Sequence, residues 1–152
     1  MKRLLPGLIS LAMFFTLSAC GGSGAQAEFD PAADTAALLE TSAFSESLTE
    51  IDTDTACMLY GIDGQTVTDS AVYGSTGATA EEVAIFALDS ESAAAAALEA
   101  LELRVSDRME ALADYQPQEI GKLESAVVEQ RGATVLLVVA ADYTPVDNLL
   151  GE

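Results

Sequence analysis

Two cysteines occur in this sequence, and one of them stands in a setting that favours covalent modification. Cys20 directly follows Leu17, Ser18 and Ala19, at the end of an apolar run over residues 4–17. Two basic residues precede that run, and small residues just before the cysteine suit a peptidase cleavage point. The chemistry we expect is therefore cleavage of the bond before Cys20 and alkylation of its thiol.

This arrangement resembles the lipobox of bacterial lipoprotein signal peptides, in which the cysteine carries diacylglycerol and becomes the first residue. The resemblance implies a signal peptide over residues 1–19, a lipidated cysteine and flexible tether over residues 20–28, and one domain over residues 29–152. The glycines and serine at positions 21–24 suit such a tether. Two acyl chains, at about 0.8 kcal/mol per buried methylene, anchor a protein stably. We therefore expect the protein on the outer face of the cytoplasmic membrane, held through Cys20.

Two other interpretations of the N-terminus remain open at this point. One is an ordinary secreted protein that is cut near Ala19 or after Ala27. The other is an uncleaved transmembrane anchor, which needs about 20 apolar residues. The run is shorter than that, contains Pro6, Ser10 and Thr16, and is followed by no basic stop-transfer cluster. We therefore favour the lipoprotein interpretation.

The charge of the mature protein argues against some classes of partner. Without residues 1–19, four basic residues stand against 25 acidic ones, a net charge of −21. Such a protein lacks the clustered Lys and Arg that nucleic acids require, and anionic lipid head groups repel it. The charge favours solubility, with attraction of cations or of a basic partner as the alternative.

Periodicity and turn residues predict the order of secondary structure. The expected helices cover residues 31–40, a short turn at 52–59, a long helix at 90–113 and a last turn from 144. The expected strands cover residues 48–51, 67–74, 82–88, 125–130 and 134–141, with a loop at 114–123. In the long helix the apolar residues recur every three or four positions and predict one buried stripe.

This order predicts the α+β class: an antiparallel sheet of four to five strands packed against one long helix, with short N-terminal helices. Residues 135–139 are apolar at every position, so we expect a central strand covered on both sides. The element order also permits a ferredoxin-like βαββαβ core with one extra strand.

Several short runs resemble bacterial lipoproteins of the domain-of-unknown-function 4358 family. They are LYGID at 59–63, VY at 72–73, GATAEEVAIF at 77–86, YQP at 115–117, KL at 122–123, and Gly132 leading into LLVV at 136–139. The resemblance covers roughly residues 29–141. It implies a small, exported, lipid-anchored α+β domain, and the family provides no catalytic or binding residues to transfer. Cys57 departs from the family pattern, which argues against a shared thiol mechanism.

Catalytic patterns are scarce. The sequence has no histidine, which excludes a serine–histidine hydrolase. Gly74-Ser75-Thr76-Gly77 lacks the central serine of a nucleophile elbow, and a zinc site would need thiolates or imidazoles. Paired carboxylates are plentiful, but the mature protein has only seven Phe and Tyr residues for a sugar platform. We expect neither an enzyme nor a cofactor.

The acidic composition makes calcium the ligand to consider. Asp52, Asp54 and Asp63 are close in sequence, and hard cations take oxygen ligands. The EF-hand spacing fails, however, since Ala56 occupies the next alternate position. We therefore expect Asp52 or Asp54 to cap a short helix instead, and no metal site.

Cys57 and the tyrosines each admit two interpretations. Cys57 lies in an apolar run, so we expect a buried thiol rather than a redox-active one. Tyr60, Tyr73 and Tyr115 could line a recognition surface, although alternation predicts Tyr73 to be half-buried.

Together these features predict an envelope lipoprotein that acts as a non-catalytic binding or accessory module. Its exposed sheet face or its loops would contact another envelope protein. The alternative is a small-ligand or divalent-cation-binding lipoprotein.

Overall fold

A computed structural model describes residues 26–151. In sequence order the elements are α1 (Pro31–Leu39), β1 (Thr49–Ile51), α2 (Thr53–Tyr60), β2 (Val67–Gly74), β3 (Glu82–Leu88), α3 (Glu91–Leu112), a 3-10 turn (Pro117–Glu119), α4 (Ile120–Glu124), β4 (Val127–Arg131), β5 (Thr134–Val139) and α5 (Thr144–Leu150). Among these residues, no helix has both the length and the apolar character needed to cross a membrane.

Side chains cap the first three helices where the sequence predicts their starts. Asp30 accepts a hydrogen bond from the amide of Ala33 at 2.9 Å. Asp52 and Ser90 each accept from the amide three residues ahead, at the starts of α2 and α3. These bonds satisfy amides that have no partner inside the helix.

The five strands form one antiparallel sheet in the order β1-β2-β3-β5-β4. The β4–β5 hairpin turns at Gly132, whose φ of 55° lies in the left-handed region. The predicted fold class is therefore confirmed. A complete ferredoxin-like core is not formed, because β1 pairs directly with β2 and the connection through α2 is no parallel crossover. Only the connection from β3 through α3 to β4 is a crossover, because β5 lies between β3 and β4 in the sheet.

Helices cover both faces of the sheet. On one face, Phe86 and Leu137 pack with Leu101 of the long helix α3. On the other, Ile85 and Leu136 pack with residues of α1 and α5. All positions of β5 are buried, as predicted for the apolar run at 135–139. The central strands β3 and β5 therefore offer no exposed face to a partner, whereas β1 and the first half of β2 keep exposed positions.

The predicted loop at 114–123 is wrong, because this segment forms the 3-10 turn and α4. Pro117 occupies the first position of the turn, where its missing N–H is tolerated. Leu123 is almost fully buried in the core on the α3 side of the sheet. Burial of this side chain stabilises a short helix that its own sequence would not hold.

Candidate functional site

The lipobox residues Leu17, Ser18, Ala19 and Cys20 lie outside the described residues. Cleavage and lipidation at Cys20 therefore stay predictions from the sequence.

The acidic turn caps a helix in this structure. The two carboxylate oxygens of Asp52 accept from Thr55, one from its amide and one from its hydroxyl. These bonds lower the pKa of Asp52. Asp63 accepts from the amide of Gln65, two residues ahead. Across residues 26–151, no group of three or more acidic or cysteine side chains is placed to hold a metal ion.

Cys57 is buried on α2, as predicted. Burial raises the pKa of its thiol, and the nearby charges of Asp54 and Asp63 raise it further. The thiolate is therefore disfavoured at neutral pH.

Three large apolar side chains line a cleft of about 430 Å³ between the end of α2 and the middle of α3. Met58 is 79% exposed, Leu59 48% and Leu103 61%. Exposed apolar side chains that converge on one place mark contact sites more often than scattered ones do. We call this feature the α2–α3 cleft.

Helix periodicity explains why these side chains face outward. The buried residues of α2 are Ala56, Cys57 and Tyr60, so Met58 and Leu59 lie on its other side. Gly61 then ends the helix with a φ of 70°. On α3, Leu103 is two positions beyond the buried Leu101, a rotation of about 200° around the helix. The helical periodicity that buries one face of each helix therefore leaves Met58, Leu59 and Leu103 exposed to solvent.

A buried ion pair supports the wall of the α2–α3 cleft. Glu82, at the start of β3, is 2% exposed. The Nη2 and Nε atoms of Arg104 donate to it at 2.7 and 3.0 Å, and the Tyr60 hydroxyl donates at 2.6 Å. The guanidinium of Arg104 also stacks 4.1 Å from the centre of the Tyr60 ring. The group therefore joins α2, β3 and α3 and sets the position of the cleft.

Burial raises the pKa of Tyr60, and the charge of Glu82 raises it further, so its phenol stays protonated. Burial acts to lower the pKa of Arg104, but Glu82 more than offsets it, so the pKa is raised. At physiological pH the group is thus a neutral phenol and an ion pair. Tyr60 lines the cleft but is only 3% exposed, whereas Tyr73 is half-buried as predicted.

Arg108 lines the same cleft, one helical turn beyond Arg104. Its Nε atom is 3.9 Å from Oε1 of Glu82, too far for a hydrogen bond. This Nε atom is buried and has no hydrogen-bond partner. The side chain as a whole is 28% exposed, so it can reach an occupant of the cleft.

A second buried glutamate holds the loop after α1 against α4. Glu81 accepts from Lys122 at 2.8 Å and from the amide and hydroxyl of Ser45. Lys122 also contacts Glu119 at 2.9 Å. Burial acts to raise the pKa of Glu81, but these donors outweigh it, so the pKa is lowered. Both buried glutamates are occupied by donors inside the domain, which indicates that they organise the fold.

The α2–α3 cleft was not predicted from the sequence. Leu103 departs from the apolar stripe of α3, and two adjacent glutamates begin an otherwise apolar strand. These two features were the only sequence signals of the cleft. The cleft itself forms only because α2 and α3 lie side by side in the fold.

Comparison with known proteins gives a match to one protein family. A family model described as a domain of unknown function (DUF4358) matches residues 41–140. The matched segment contains both walls of the α2–α3 cleft. No curated protein and no solved structure matched the sequence.

Proposed function

The chain belongs to the DUF4358 family, and we propose that it is an exported, lipid-anchored envelope lipoprotein that serves as a non-catalytic binding or accessory module. Its contact surface is the α2–α3 cleft. One observation carries this proposal: three of the five large apolar side chains exposed in residues 26–151 line that cleft. The other two, Tyr115 and Leu149, do not.

The cleft can add substantially to binding but does not suffice alone. Full burial of a large apolar residue contributes about 2 kcal/mol. Weighted by their exposed fractions, Met58, Leu59 and Leu103 would together contribute about 4 kcal/mol. Association costs roughly 4–15 kcal/mol in lost freedom. A partner must therefore make further contacts around the rim.

The proposed anchor places the module beside its partners. Residues 1–19 would be removed, Cys20 would carry the lipid, and the segment to residue 28 would act as the tether. The remaining domain, residues 29–152, would lie on the outer face of the cytoplasmic membrane. A tethered protein meets other envelope proteins at high effective concentration, which lowers the affinity that the cleft has to supply.

In-cell crosslinking followed by mass spectrometry tests the proposal. The bait is the full-length protein with a C-terminal affinity tag, and Cys20→Ser is expected to leave the membrane fraction. One dominant envelope protein should be captured, with less of it captured by Leu103→Ser. Leu149→Ser is the matched control, since Leu149 is an exposed leucine outside the cleft. Equal capture by both leucine variants would refute the cleft as the contact surface.

A small-ligand or divalent-cation-binding lipoprotein is the second candidate, favoured by the acidic charge. The four basic residues of the mature protein each lie within 4.0 Å of a glutamate oxygen, so most acidic side chains have no basic partner. A ligand that binds only the native state raises the melting temperature. Millimolar calcium should then shift it saturably, and an unchanged melting temperature would reject the cation-binding version of this candidate.

A further inference from the structure

We infer that the partner segment seated in the α2–α3 cleft presents a carboxylate to Arg108 next to an apolar side chain. This inference rests on the proposed function and names the chemistry of the occupant.

Arg108 is the one basic side chain in residues 26–151 without a hydrogen bond. Arg104, Lys122 and Arg131 each donate to glutamates at 2.7–2.8 Å. Glu82, the carboxylate nearest to Arg108, already accepts from Arg104 and Tyr60. Arg104 therefore provides the short hydrogen bonds to Glu82, and Arg108 makes only a longer charge contact with it at 3.9 Å.

A buried donor without an acceptor is costly, and the cost rises for a charged group. The Nε atom of Arg108 has lost contact with water, while the side chain lines the cleft. Because the side chain as a whole is 28% exposed, an occupant of the cleft can bring a carboxylate to the accessible part of the guanidinium. The planar guanidinium fork matches a carboxylate with two parallel hydrogen bonds.

The lining of the cleft favours a protein segment as its occupant. Met58 and Leu103 stand mostly exposed at a shallow cleft, which suits an opposing protein surface better than an enclosed small molecule. The net charge of −21 expected after cleavage opposes both an anionic lipid surface and a second copy of the protein. Asp107, the other charged residue of the lining besides the two arginines, is exposed and stays solvated.

Placement of a photo-crosslinking residue tests which segment occupies the cleft. The probe is benzoylphenylalanine at position 103 in the full-length, lipid-anchored protein, with the same probe at position 149 as control. Mass spectrometry of the crosslinked peptides then maps the partner segment. We expect crosslinks from position 103 to one segment that contains Asp, Glu or a terminal carboxylate within about one helical turn of the crosslink.

A double-mutant cycle with the purified partner then tests the ion pair itself. Arg108→Met keeps the aliphatic stem and removes the charge, and Asp→Asn or Glu→Gln removes the partner's charge. Each single change should weaken binding about tenfold or more, as for a charged hydrogen bond, and the second should add little after the first. Arg108→Lys should restore part of the affinity. A thermal melt of each variant shows whether it is folded.

The outcomes separate this inference from the proposed function. Capture of a partner without crosslinks from position 103 overturns the inference and leaves the accessory role standing. Crosslinks from position 103 to lipid, to another copy of the protein, or to a segment without a carboxylate also overturn it. Additive losses in the cycle do the same. The absence of any partner overturns both.

Discussion

Replacement of Glu82 by glutamine keeps the shape of the side chain and removes the charge on which Arg104 depends. Glu82 is 2% exposed and the Arg104 side chain is 12% exposed. Glutamine can still accept a hydrogen bond from Tyr60, since its carbonyl oxygen remains. The guanidinium of Arg104, however, would lie buried without its counter-charge.

Loss of one partner of a buried pair costs about 3–5 kcal/mol. We expect about 3 kcal/mol for Glu82→Gln, because Arg104 retains some contact with water. A native domain is stable by only about 5–15 kcal/mol. For a domain of this size, about 4 °C of melting temperature per kcal/mol predicts a drop of about 12 °C.

Urea and thermal unfolding, followed by far-UV circular dichroism, measure this loss. Glu102→Gln is the control, an exposed acid on α3 whose replacement should change the free energy of unfolding by less than about 0.5 kcal/mol. Addition of Arg104→Met should recover part of the stability, because it removes the uncompensated charge. A loss below about 1 kcal/mol, or no recovery in the double variant, would show that Glu82 does not compensate a buried charge on Arg104.

Three further outcomes follow from local features. The pKa of Glu81 is lowered by donors that outweigh burial, so its ionised form contributes stability above the unfolded pKa of about 4.3 and loses it as pH falls through the folded value. The difference in the free energy of unfolding between the wild type and Glu81→Gln should therefore be constant above about pH 5 and shrink in acid. Cys57 should react slowly with a thiol reagent at neutral pH, because it is buried and its pKa is raised. Gly132→Ala should cost about 1–2 kcal/mol, since its φ is positive and a Cβ would lie 2.8 Å from Cγ of Glu28.

Each of these outcomes has a matched comparison. If the difference in the free energy of unfolding between the wild type and Glu81→Gln grew in acid, the pKa of Glu81 would be raised on folding and not lowered. Cys57 should react rapidly in urea, and equally rapid labelling of the native protein would contradict its burial. Gly121→Ala should stabilise α4 by about 0.5–1 kcal/mol, because a Cβ there meets no atom within 4 Å. Destabilisation of both glycine variants would show that the φ of Gly132 is not the cause.

Most elements of the fold could be predicted because their signals are local. Asp30, Asp52 and Ser90 cap helices through amides three residues ahead, and such spacing is visible in the sequence itself. The apolar run of β5 predicted a strand covered on both sides, since an exposed face would invite aggregation. The loop predicted at 114–123 failed for the opposite reason: α4 depends on burial of Leu123 under distant residues, while Pro117 and Gly121 signal a break.

Local signals in the sequence were thus enough to predict the fold class, the positions of the long helix and the strands, and lipidation at Cys20. Which side chains meet depends on the packing of distant elements. Glu82 and Arg104 are 22 residues apart, yet they form a buried ion pair. Met58 and Leu103 come from different helices and line one cleft. Such contacts depend on burial and charge over the whole domain, and the spacing of residues in the sequence does not predict them.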